Sequence, residues 1–147
     1  MPEIIFEKRS GKYDAMLVLK AGKWDETLVP KQAPILHDMF HYAVETALGK
    51  RGFIHRRIDG EGAGFRMTAE KVSEVVERLV ETMQADSWSG RPDPAEVIEL
   101  FHTTCEARGD EPFVVTAADI IAIRAVIDDL AAKWVQVPVG GKLALEV

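Results

Sequence analysis

His37 and His41 stand four residues apart in the segment His37-Asp38-Met39-Phe40-His41. On a helix that spacing puts both imidazoles on one face, where two ring nitrogens can reach one metal ion. Glu45 follows after four more residues and brings a carboxylate to nearly the same face. Two imidazoles and a carboxylate form a donor set that zinc, iron, manganese or nickel accepts. The sequence therefore nominates His37, His41 and Glu45 as ligands of a divalent metal such as zinc. Asp38 occupies the place of the general base in the His-Glu-x-x-His helix of zinc proteases, one methylene shorter. It is the base if a metal-bound water is used in hydrolysis. The further histidine of extended zinc-protease motifs is missing, which disfavours a protease. A second reading needs no metal. Histidine is a frequent border residue, and His41 with Glu45 makes an intrahelical pair. The chain is then a non-enzymatic ligand-binding or protein-interaction module in which these residues are structural.

Two histidines remain. His55 precedes Arg56-Arg57, and His102 lies three residues before Cys105. His55 is the better candidate for a further ligand. His102 reads as a surface or border residue, and Cys105 as a small core residue.

A second cluster is basic. Lys50, Arg51, Arg56, Arg57 and Arg66 gather around Gly60-Glu61-Gly62-Ala63-Gly64 in an otherwise acidic chain. Arg51, Arg56 and Arg57 are candidates for an anion or phosphate pocket beside the histidine helix. The competing reading is a solvated loop with ordinary surface arginines. The lysine and Ser/Thr that end a P-loop are absent.

The elements that must position these residues follow from periodicity and punctuation. Ile4 to Glu7, Tyr13 to Lys20 and Lys23 to Val29 read as strands, separated by turns at Ser10-Gly11 and Gly22. A helix is expected from Pro34 to Leu48, with Gly49 just past its end. Leu36, Phe40, Ala43, Val44, Ala47 and Leu48 form its apolar stripe. The two histidines sit on the border of that stripe, with Asp38 and Glu45 further toward the polar side. Residues 52–67 read as irregular. Thr68 is a candidate cap for a helix over about 69–85, with Val72, Val75, Val76, Leu79, Val80 and Met83 in helical period. Asp93, Pro94 and Glu96 open a third helix, ended by Gly109. Thr116 and Asp119 open a fourth, whose core face is Ile120, Ile123, Val126, Ile127, Leu130 and Trp134. Residues 135–139 and 142–147 read as a terminal hairpin around Gly140-Gly141. Strands, then helices, then strands predict a single α+β domain over 1–147. A small antiparallel sheet from both ends of the chain would pack against about four helices.

The stretch Pro34-Ile35-Leu36-His37-Asp38-Met39-Phe40-His41-Tyr42-Ala43-Val44-Glu45, with Leu48 and Gly52-Phe53, resembles a signature of uncharacterised bacterial proteins. In these a His-Asp-x-x-His-x-x-Val-Glu helix is followed by a Gly-Phe segment. The usual Gly-Phe-Trp-Gly continuation is here Gly52-Phe53-Ile54-His55. The resemblance implies a bacterial origin and carries no known activity.

Bulk properties bound the partners. The 147 residues are 47% hydrophobic and 29% charged, as in ordinary globular proteins. The formal net charge of −6 argues against non-specific binding to nucleic acid or to an anionic membrane. One cysteine excludes an intramolecular disulfide. The first residues lack the pattern of a signal peptide, and no apolar run approaches the ~20 residues that span a bilayer. The expectation is a cytoplasmic protein. A small-molecule or protein partner and a homo-oligomer both stay open.

Overall fold

A computed structural model describes residues 3–20, 22–58 and 71–147. Among these residues four strands and five helices follow in the order β1 (Glu3–Glu7), β2 (Tyr13–Lys20), β3 (Lys23–Pro30), α1 (His37–Leu48), α2 (Phe53–Ile58), α3 (Lys71–Trp88), α4 (Pro94–Ala107), α5 (Ala117–Gln136) and β4 (Lys142–Glu146). This is the α+β arrangement that the order of elements predicts. The candidate cap Thr68 and the glycines of 60–64 lie outside the described residues, as does Arg66.

The sheet is antiparallel throughout, in the order β3-β2-β1-β4. Alternation along the strands sorts the side chains. Ile4, Phe6, Met16, Val18, Val29 and Leu145 are buried in one core with the helices. Tyr13, Leu19, Trp24 and Leu28 are exposed. Ile4 opposite Leu145 sets the register of β4 on β1 and so joins the two ends of the chain.

The caps explain where the helices begin. Asp93 accepts the Ala95 amide at 3.0 Å, with Pro94 at the first position of α4. Thr116 and Asp119 close a reciprocal capping box at α5, with bonds of 2.9 and 3.2 Å. The stripe Ile120, Ile123, Ile127, Leu130 and Trp134 is buried along α5.

Three expectations are corrected. Helix α1 starts at His37 rather than Pro34, because Ile35 and Leu36 enter the core ahead of it, Leu36 in an extended conformation. Residues 53–58 of the segment read as irregular form α2. The terminal hairpin does not form. Trp134 reaches the core in helical register, so α5 continues through Gln136, and Val135 and Val139 are left exposed. The chain turns at Gly140, whose amide donates to Lys8 O, while the Lys8 amide donates to Gly141 O. That pairing delivers β4 directly to β1. Among the described residues no helix is long and apolar enough to cross a membrane.

Candidate metal centre

The histidine helix is held in place by its own apolar stripe. Met39, Phe40, Ala43 and Val44 are all buried in the common core. This fixes the rotation of α1 and turns His37 and His41 toward α3. His41 is almost fully buried, whereas His37 is partly exposed at the first turn. Their rings meet edge to face with centroids 5.0 Å apart.

Glu77 of α3 completes the group. Its Oε2 lies 2.7 Å from His41 Nε2, and its Oε1 lies 3.7 Å from His37 Nε2. His37, His41 and Glu77 can each offer one ligand atom, and those atoms lie within 4.8 Å of one another. In a tetrahedral site, two ligands each about 2.1 Å from zinc stand about 3.4 Å apart. The group is wider than a bound set, and its side chains would have to close around an ion.

Glu45 does other work. It is fully buried rather than on the polar side of α1. Its Oε1 accepts the Gly52 and His55 amides, both at 3.0 Å, and its Oε2 accepts the Ile54 amide at 3.1 Å. Helix geometry leaves the N–H groups at the start of α2 without a backbone acceptor, and a carboxylate there also suits the helix dipole. Glu45 therefore makes the helix that the sequence reading missed. His55 Nδ1 lies 2.7 Å from Glu45 Oε1. His55 thus belongs to this cap, away from the His37–His41–Glu77 group. His102 is exposed and Cys105 buried, as expected.

His41 bridges the two carboxylates. Its Nδ1 lies 3.4 Å from Glu45 Oε2, an ion-pair distance without a formed hydrogen bond. Burial lowers the His41 pKa, but the Glu45 and Glu77 carboxylates outweigh it and raise it to about 9. Burial also pushes Glu45 up, while contacts with His41 and His55 and the His55 amide bring it down to about 2. Glu77 likewise ends below the usual carboxylate range, because His41 overcomes its burial. Asp38 moves the other way. Burial raises its pKa despite the nearby His41, His37 and Arg57 charges.

An open cleft of about 610 Å³ runs beside the group, between β3 and the starts of α1 and α2. Thr27, Val29, Gln32, His37, Asp38 and Phe53 are among its walls. His37 thus presents one side to Glu77 and another to this cleft, with Asp38 next to it.

Two members of the basic cluster, Arg56 and Arg57, are not surface arginines. Arg56 and Arg57 are buried in α2, and Arg57 is completely inaccessible. Arg51 sits in the link between α1 and α2, where its carbonyl accepts from Ser73 Oγ at 3.3 Å.

Sequence reasoning missed Glu77 as the third converging group. It lies beside Val76 in the stripe of α3, but nothing in its local pattern says that this part of α3 meets the first turns of α1. Set against known proteins, the chain matches no family model, no curated protein and no solved structure.

Proposed function

We propose that this protein binds a divalent metal ion through His37, His41 and Glu77, and that the bound ion activates water in the adjoining cleft. The observation that carries this reading is the convergence of both imidazoles of α1 with the Glu77 carboxylate of α3. Two histidines and a glutamate are the protein ligands of one group of catalytic zinc sites, which keep a further position for water or substrate. The setting of His41 adds support. A ligating histidine commonly turns its other ring nitrogen to a carboxylate, which orients the ring. His41 directs Nε2 to Glu77 and Nδ1 to Glu45. Asp38 shares the cleft with His37 and would serve as the base if an ion held there activated water.

One observation favours a second reading, in which the group is a metal-free structural pair. His41 already lies between two carboxylates, so a protonated ring balances their charge without an ion. Metal content decides between them. Protein purified without a His-tag should carry or take up zinc, manganese or iron near one equivalent and lose it in Glu77→Gln and His41→Ala. Metal-free protein whose melting is unmoved by all three ions would leave the structural pair as the function of the cluster. With metal bound, Asp38→Asn should retain the ion and lose hydrolytic turnover in a screen of ester, amide and phosphoester substrates.

A further inference from the structure

Behind the walls of the cleft lies a second feature that needs no metal: buried hydrogen-bond donors with no partner among the described residues. Arg57 is fully buried, and its Nη2 donates to Asp25 Oδ2 at 2.8 Å. Its Nε and Nη1 have no hydrogen-bond partner among the described residues. Thr27 Oγ1 is also buried without a partner among them. Such groups are rare in folded proteins, because each has given up its water without a replacement.

Asp25 links the two side chains through one strand. Asp25 and Thr27 are two residues apart on β3 and share its inner face. By holding Arg57, Asp25 draws the guanidinium to the strand that carries Thr27, a wall of the cleft. Phe53, another wall, lies one turn before Arg57, with its ring centroid 6.0 Å from the guanidinium carbon. Asp25 meets Arg57 at one nitrogen only, and its own side chain is 42% exposed, so water weakens its hold on the charge.

We infer that the cleft binds a small ligand through an anionic group, a carboxylate or a phosphate, that accepts hydrogen bonds from Arg57 and Thr27. A guanidinium offers donors only, and its fixed fork matches the oxygens of those two groups. The Asp38 carboxyl faces the same cleft, so a ligand with one anionic end fits better than a polyanion. Arg57 and Thr27 come from α2 and β3, apart from His37, His41 and Glu77. Anion binding and metal binding can therefore succeed or fail separately.

The test is a titration of the metal-free full chain with acetate and, separately, with inorganic phosphate. Chloride at matched ionic strength is the control. The Arg57 Nε–H resonance and the melting temperature are followed together. Saturable movement of that resonance with a rise in melting temperature is expected for at least one anion. Saturation by acetate alone assigns a carboxylate ligand, and by phosphate alone a phosphoryl ligand. Thr27→Val should weaken the binding about fivefold, the worth of one hydrogen bond. Arg57→Gln should abolish it. Because Arg57→Gln removes a buried ion pair and can unfold the chain, Thr27→Val and the Arg57 resonance suffice by themselves. An Arg57 resonance that neither anion moves, or binding unchanged in Thr27→Val, would overturn the inference.

Discussion

Glu45 and Gly52 are seven residues apart and in direct contact: the Gly52 amide donates to Glu45 Oε1 at 3.0 Å. A Cβ added at Gly52 would lie 2.7 Å from the Glu45 carboxyl carbon and 2.8 Å from a Val76 methyl. Only a residue without a side chain lets α2 start this close to α1. Neither neighbour can yield freely. Glu45 is held by three amides, and Val76 is in the core. Gly52→Ala should therefore cost about 1–3 kcal/mol, the usual range for overpacking. Urea unfolding would show it as a lower midpoint with little change in slope. An unchanged midpoint would mean that α2 does not start against Glu45.

Replacing the carboxylate tests the same cap from the other side. Glu45→Gln keeps the shape, but its amide nitrogen cannot accept, and the charge beside His41 and the α2 amides is gone. A loss of about 2–3 kcal/mol is expected. If Glu45 caps α2 and leaves coordination to Glu77, the folded variant still binds metal while Glu77→Gln does not. Calorimetric titration with zinc separates the two.

The metal reading makes a quantitative prediction about melting. An ion bound only by the folded chain stabilises it by about 2.7 kcal/mol at a hundred times its dissociation constant. For a chain of this size that is on the order of 8 °C. His37→Ala and Glu77→Gln should remove most of the rise. His55→Ala should keep it, since His55 contacts Glu45 and lies outside the group of three.

Stability of the metal-free protein should fall on both sides of a plateau. Glu45 is lowered from 4.5 to about 2 by folding, so its contribution is complete above pH 4.5 and fades as the pH drops toward 2. His41 is raised from 6.5 to about 9, so its contribution is complete below pH 6.5 and fades as the pH climbs toward 9. The contact between the two residues enters both limbs, with Glu77 adding to the alkaline one and His55 to the acid one. The measurement is the urea midpoint at successive pH values. His41→Gln should flatten the alkaline limb, and a limb that survives unchanged would assign it to another group.

Arg124 and Asp86 supply a control away from the cleft. Arg124 Nε and Nη2 donate to the two Asp86 oxygens at 3.0 and 2.7 Å, and Nη2 also reaches Pro92 O at 2.6 Å. Asp86 is buried. Removing one partner strands a buried charge, so Arg124→Ala should cost about 3 kcal/mol. Metal and anion affinity of the folded protein should not change.

The sequence by itself determined whatever depends on near neighbours along the chain. Strand β2 runs from Tyr13 to Lys20, as its pattern predicts, because alternation and flanking turns are local. The Thr116–Asp119 box and the buried stripe of α5 are equally local. The spacing of His37 and His41 put both rings on one face, because the helix repeat alone decides that. Tertiary structure decided the rest. Val135 and Val137 look strand-like, but burial of Trp134 carries α5 past Val135 to Gln136. Glu45 and Glu77 are both carboxylates within reach of the same histidine. Packing of α2 against α1 gave Glu45 three amides to accept, and packing of α3 against α1 brought Glu77 to His37 and His41. Spacing along one helix cannot make that choice, because the competing partners arrive from other parts of the chain.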